Sequence, residues 1–387
     1  MNEKAFTILD YITMRGDLTF AQSDFNSVDA LILSQIAYNN VDGLVSADFN
    51  QKITLEELAE RFESAKDYEK RCNMGAMINP LTSQLLLDAA KSDRFRKIKV
   101  SGFINKINQR TIEQFSAITY QIEKDRYVVA LRGTDDTIAG WHEDFNLGWM
   151  DEIPAQKDTR EYVCKVMAAL KGSFIFTGHS KGGNLSVKAG MSVPKKSLGR
   201  LKAVYNFDGP GFFAPAYETP EFQQIKDRVF AYFPEFCVVG MMFEHVKQYK
   251  IVACSAEGIL QHDPFTWNVL GPQFQTAQKF DEASEIFYSS FNGWAAKLSA
   301  QERKRFIDTL FDVIYATGVK TNYEIDQNKI VCGGKMIARL AELDETERKA
   351  VVRAFKVFVK VAKDNIPMFS VFKMPSLRAE GEVIHIR

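Results

Sequence analysis

The residues best suited to chemistry lie between Phe174 and Gly190, in FIFTGHSKGGNLSVKAG. Gly178-His179-Ser180-Lys181-Gly182 is a Gly-x-Ser-x-Gly that directly follows an apolar strand-like run and directly precedes a helical one. A sharp turn between strand and helix lifts a serine hydroxyl above the sheet edge, and glycines two residues to either side let neighbouring backbone come close. The helix that follows points its amides and the positive end of its dipole at that hydroxyl. The chemistry this predicts is attack by Ser180 on an acyl carbon. The five-residue pattern is weak by itself, because glycine-rich turns also join strands to helices without any chemistry; its placement gives it weight.

Acyl transfer also needs a base and two donors for the oxyanion. Imidazole is the side chain suited to shuttling the serine proton near neutral pH. His262, in Ile259-Leu260-Gln261-His262-Asp263-Pro264, comes late in the chain, after the last strand of the alternating region, and is the predicted base. His245, within MMFEHVKQ between strands, reads as a structural histidine, and the side chain of His179 must diverge from Ser180 at the turn. One oxyanion donor is expected to be the amide after the nucleophile, at Lys181. The other is expected on the loop that ends the strand Val128-Val129-Ala130-Leu131, at Thr134.

These residues must be positioned by an α/β framework. Short apolar runs at Lys97 to Phe103, Ala117 to Ile122 and Tyr127 to Leu131 read as strands. Beyond them strand cores at Phe174 to Phe176, Leu201 to Phe207, Arg228 to Phe233 and Gln248 to Ala253 alternate with helical periodicity at Asp158 to Leu170 and Lys181 to Met191. Such alternation predicts a mostly parallel central sheet flanked by helices. Residues 1–96 read as a mainly helical region packing on the core. Within it Ser27 is a predicted cap, Thr54 with Glu57 forms a capping box, and Leu81 to Ala90 follows Pro80 as a short helix. The α/β core spans 97–272, where the strands are expected to end. A helical region follows over 273–366, with a helix over Phe274 to Leu298, a capping box at Ser299 and Glu302, and a helix capped by Asp344 running through Val351, Val352, Phe355 and Val359. Residues 367–387 are a tail without clear periodicity.

Composition narrows the alternatives. The chain of 387 residues is 46% hydrophobic with 30 Phe, which excludes a disordered or collagenous protein. Its 49 Lys+Arg balance 49 Asp+Glu, so no net field draws it to nucleic acid or an anionic membrane. No apolar run approaches the length of a transmembrane segment, and the N-terminal stretch lacks the features of a secretory signal. Five cysteines without a CxxC pair and five histidines without HxxxH spacing suggest reduced thiols in a cytoplasmic protein, with no metal or organic cofactor. Oligomeric state is not legible.

At this point LRGTDD, WHEDFN and TGHSKGG resemble the class 3 (fungal-type) triacylglycerol lipases, whose signature loops read FRGT and GHSLGG. The chain is more similar still to a bacterial group of lipase-like α/β-hydrolases that carry TGHSKGGN, FDGPGF and QHDPF-type segments. The resemblance is strong from Tyr127 to Asn206 and weaker over most of the remainder. It implies an α/β-hydrolase fold, Ser180 as nucleophile, Thr134 and Lys181 as oxyanion donors, and the chain order serine, acid, histidine. Lys181 departs from the leucine usual after the serine, and a charge at the elbow argues against a purely apolar cleft.

The acid has two candidates. In class 3 lipases it follows the strand equivalent to Arg228–Phe233, where this chain has Phe236, and Glu235 could substitute by a one-residue shift. Asp208, in NFDGPGF, resembles instead the strand-end aspartate of pancreatic-type lipases. It is preferred, because a carboxylate leaving a buried strand is well placed to orient a histidine, although Asp-Gly-Pro can also be a plain turn. The reading is a serine hydrolase acting on a small ester or lipid-like substrate. The alternative is a catalytically silent α/β-hydrolase scaffold that binds a ligand or protein partner, motivated by Phe236 and Lys181.

Overall fold

Along Arg126–Leu131, Val128 and Ala130 join one apolar cluster while Tyr127, Val129 and Leu131 join another. A strand with apolar side chains on both faces must be covered on both faces, and that requirement organises the whole chain. The computed structural model describes residues 5–213 and 215–349. Its main sheet has nine strands in chain order. They are β1 (Ile53–Thr54), β2 (Lys99–Asn108), β3 (Glu113–Glu123), β4 (Arg126–Leu131), β5 (Ser173–His179), β6 (Leu201–Phe207), β7 (Val229–Pro234), β8 (Tyr249–Val252) and a short last strand, Thr276–Ala277. From β4 to β8 the pairing is parallel, while β1 to β4 and the last strand are antiparallel. With a serine on the turn after β5, this is the α/β-hydrolase fold.

Helices α1 (Ile8–Arg15), α2 (Ser27–Ile36), α3 (Leu55–Glu63), α4 (Tyr68–Cys72) and α5 (Leu81–Lys91) precede the strand-rich region. All but α4 contribute buried residues to the first face of the sheet. Every residue of α2 is buried against β5. Two of its buried polar groups are matched across the fold: Asp29 pairs with Arg94 at 2.6 Å, and Ser34 Oγ meets Thr177 Oγ1 at 2.7 Å. Helices α6 (Ile138–Asn146), α7 (Pro154–Ala169) and α8 (Lys181–Met191) follow β4 and β5, and α7 and α8 cover the second face. Helices Ala300–Tyr315, Asn322–Gln327 and Lys329–Glu342 form a third cluster with Ile138 of α6.

Three expectations change. The helix over 27–36 is capped by Asn26, whose side chain accepts from the amides of Val28 and Asp29, so Ser27 is its first residue. Strands continue past residue 272: Gln273–Phe274 pairs with Val269–Leu270, and Thr276–Ala277 extends the main sheet beside β8. Those residues are too few and too polar to announce a strand, and the exposed edge of β8 recruits them. The next helix is accordingly shorter, Glu282–Ala296. Asp344 accepts from the amides of Thr346 and Glu347, but the rest of the helix expected there, through Val359, and the tail from 367 lie outside the described residues.

The third cluster is fastened to the loop after β4 by Asp136. Its carboxylate accepts from the amides of Ala76 (3.0 Å) and Tyr323 (2.9 Å), and its carbonyl accepts from Asn322 (2.9 Å). Burial pushes its pKa up to about 6. A carboxyl raised on folding binds its proton more tightly in the native than in the unfolded state. Its contribution is therefore fully present below pH ~4 and lost as pH rises through about 6, a swing of at most ~3 kcal/mol. Thermal melts from pH 4 to 7 are expected to show wild type losing stability relative to Asp136→Asn as pH rises; a constant difference refutes this.

Candidate active site

The register of the parallel strands brings the distant residues together. In the sheet His179 lies beside Phe207, so the residues that follow, Ser180 and Asp208, emerge at the same end of adjacent strands. Ser180 has φ 58° and ψ −133°, a strained conformation for a residue with a Cβ, and Asp208 has φ 48°. Backbone bonds hold both: the Ser180 amide donates to Phe207 O (2.9 Å) and the Asp208 amide to Tyr232 O (2.8 Å). The turn also needs its glycines, since a Cβ on Gly178 would stand 2.0 Å from Gly182 O, and one on Gly182 would stand 2.1 Å from Leu131 O. Ser180 is half-buried, with its hydroxyl at the floor of a cleft.

His262 ends a short 3-10 turn, Gly258–His262. Its Nε2 lies 3.1 Å from Ser180 Oγ, and its Nδ1 lies 2.6 Å from Asp208 Oδ2. With the proton on Nδ1 donated to Asp208, Nε2 is free to accept from the serine hydroxyl. Three contacts hold this turn. Asn79 donates to Asp263 Oδ2 at 2.6 Å, Trp267 Nε1 donates to Gln261 O at 2.8 Å, and His179 Nε2 lies 2.9 Å from the carbonyl of His262. Burial lowers the pKa of His179 well below the usual value, so its ring is neutral and Nε2–H is the donor in that contact. Asp208 is buried, and its other oxygen, Oδ1, accepts from the Gly240 amide (3.1 Å) and the Cys237 thiol (2.9 Å).

The other candidates lie elsewhere. Glu235 faces the amide of Cys254 at 3.4 Å and makes no contact with His262. His245 sits among Phe233, Tyr249 and Tyr288, with Nδ1 near the carbonyl of Val246. The Thr134 and Lys181 amides have no acceptor among the described residues, and both residues line the cleft beside Ser180. The Thr134 hydroxyl donates to Asp144 Oδ2, which fixes the loop carrying that amide. Burial pushes the pKa of Asp144 up to about 6.

Lys181 corrects an expectation. Its side chain is 1% exposed and runs beneath the elbow, where Nζ donates to Glu143 Oε2 (2.8 Å) and Gln114 O (2.9 Å). Burial opposes its charge, but Glu143 and Asp144 outweigh it and hold the ammonium protonated. Glu143 also accepts from the amides of Gln114 (3.0 Å) and Ala155 (2.8 Å), so one buried ion pair joins α8, α6, β3 and the start of α7. The ammonium is therefore turned away from the cleft, whose walls are mostly apolar. Lys181→Met strands the Glu143 carboxylate and is expected to destabilise the fold by about 3–5 kcal/mol in urea melts, with Lys181→Met/Glu143→Leu recovering most of it. Equal stability of wild type and the single variant contradicts that role.

Above Ser180 lies a cavity of about 440 Å³ whose walls include Met77, Ile78, Phe145, Val238, Met242 and Leu260. That volume falls in the usual range for small-molecule sites, about 300–1,000 Å³. Among the described residues no cluster suits a metal ion, and no helix is long and apolar enough to cross a membrane. Sequence reasoning missed Glu143, Asp144, His179 and Cys237 as supports of the site. The first two were visible inside WHEDFN, nine and ten residues past Thr134; the last two carry no signal short of the fold.

No curated protein matches this sequence. Among solved structures, one described as M37 lipase is 14% identical and covers 56% of this chain and 70% of its own, with a TM-score of 0.34. A mutant form of MDLA from Penicillium cyclopium is 13% identical and covers 68% of this chain and 90% of its own, with a TM-score of 0.38. The Mbeg1-like family model spans residues 89–312, which takes in the sheet from β2 onward, the elbow, Asp208 and His262. More than half of the sequence lies within that match, and the chain belongs to the Mbeg1-like family.

Proposed function

We propose that the protein is a serine hydrolase, lipase-like in fold, that cleaves a carboxylic ester through an acyl-enzyme. The observation that carries this reading is the unbroken chain Asp208–His262–Ser180 at 2.6 and 3.1 Å, opening into a mostly apolar cavity. Ser180 Oγ attacks the acyl carbon while His262 Nε2 takes its proton. Asp208 holds the ring in the required tautomer and stabilises the imidazolium. The tetrahedral oxyanion is received by the amides of Thr134 and Lys181, the second at the N-terminus of α8. His262 then protonates the leaving alcohol, and water repeats the sequence to release the acid. No metal or organic cofactor takes part. The cavity suits an acyl group or other lipid-like body, and the five free thiols suit a reducing, cytoplasmic setting.

The two features that favoured a silent scaffold lose their force in the folded chain. Lys181 is consumed by a buried ion pair, and the place of Phe236 in the acid loop is offset by Asp208 on the neighbouring strand. The test is labelling by a fluorophosphonate probe, together with hydrolysis of nitrophenyl esters of graded acyl length. The reading expects stoichiometric labelling at Ser180 and turnover of apolar acyl groups. An unlabelled wild type that hydrolyses none of the esters returns the protein to the scaffold reading.

A further inference from the structure

We infer that Cys237 is a positioning residue for the catalytic carboxylate: its S–H donates to Asp208 Oδ1 and, with the Gly240 amide, holds the carboxylate so that Oδ2 alone faces His262. The inference rests on the proposed reading of Ser180, His262 and Asp208 as a triad.

The geometry divides the two oxygens cleanly. Oδ1 receives Cys237 Sγ at 2.9 Å and Gly240 N at 3.1 Å, while among the described residues Oδ2 receives only His262 Nδ1 at 2.6 Å. Both Oδ1 donors come from the loop after β7, the same loop in which the resembling lipases carry their acid. Here that loop supplies no acid to His262. It supplies the hydrogen bonds that a carboxylate on the neighbouring strand requires.

The loop is anchored by two further hydrogen bonds. The Cys237 amide donates to Ser284 Oγ at 2.8 Å, and the Phe236 amide donates to Gln261 Oε1 at 2.7 Å, one residue before His262. The thiol is fully buried. Burial and the nearby Asp208 charge push its pKa well up, so it remains S–H and can donate. A thiol is a weak donor to a neutral acceptor, but a buried carboxylate strengthens the bond. Each donor on Oδ1 withdraws some of the negative charge that His262 would otherwise feel.

A structural role and a positioning role part company here. Loss of the S–H leaves more negative charge on Oδ2 and strengthens its attraction for a positively charged imidazole ring. In Cys237→Ala the acid limb of the kcat/KM profile is expected to shift upward by about half a pH unit, and kcat to fall about tenfold with KM little changed. Cys237→Ser keeps a donor and is expected to return both towards wild type. Infrared spectra of wild type should show one S–H stretching band displaced to lower frequency, absent in Cys237→Ala and moved back in Asp208→Asn. That comparison decides the matter even if the alanine variant does not fold. No displaced thiol band in wild type, or superimposable pH profiles for wild type and Cys237→Ala while Ser180 still labels, overturns the inference. Failure of wild type to label at Ser180 overturns the triad reading, and this inference falls with it.

Discussion

Ser180→Ala is expected to lower kcat by about 10⁶-fold and to abolish fluorophosphonate labelling, with KM for an apolar ester nearly unchanged. The magnitude follows from what the substitution removes. His262 loses its only proton donor, Asp208 orients a base with nothing to activate, and the acyl-enzyme cannot form. On the proposed mechanism, what survives is the mostly apolar cavity, which would still bind the acyl group, and the two amides of Thr134 and Lys181, which would still stabilise an oxyanion formed by attack of water. Those remnants sustain a rate about 10³–10⁴ above the uncatalysed one. Stability should change little, because among the described residues Ser180 Oγ bonds only His262, and the strained backbone at φ 58° is held by the amide bond to Phe207 O rather than by the hydroxyl. Initial rates and probe labelling on matched preparations check this. Ester hydrolysis at more than a hundredth of the wild-type kcat places the chemistry at another residue.

Asp208→Asn is expected to cost about 10⁴-fold in kcat for a different reason, the tautomer of His262. The two donors on Oδ1, Gly240 N–H and Cys237 S–H, demand an acceptor there. An asparagine must therefore turn its oxygen towards them and its NH₂ towards His262. A donor facing Nδ1 forces the imidazole proton to Nε2, where it points at the serine hydroxyl and cannot accept its proton. The fold should persist, since the replacement is nearly isosteric and the Asp208 amide bond to Tyr232 O is untouched. The control is Glu235→Gln, whose side chain among the described residues accepts from the Cys254 amide and which should stay within about threefold of wild type. If the two variants exchange phenotypes, the carboxylate roles are reversed and Glu235 is the acid.

Much of the architecture is legible before any coordinates. The strand runs at 127–131, 174–176 and 201–207 fall inside β4, β5 and β6, because strands covered on both faces are largely apolar. Lys181 to Met191 coincides with α8, because a glycine-flanked serine after an apolar strand leaves the chain little choice but to turn and begin a helix. The strands past residue 272 were illegible for the opposite reason. Two-residue pairings carry no periodicity, and only the open edge of β8 gives Thr276–Ala277 its partner.

The order of residues along this chain determined which groups were available: a serine at a strand-to-helix bend, a late histidine, and carboxylates at the ends of two successive strands. Local rules suffice for that, because bends, caps and apolar runs are decided by neighbours a few positions away. Which carboxylate meets His262, where the Lys181 ammonium goes, and what holds the far oxygen of Asp208 were decided only by the tertiary structure. Those answers depend on contacts between residues 29 to 82 positions apart, set by the register of parallel strands and by which charges the packed interior must pair.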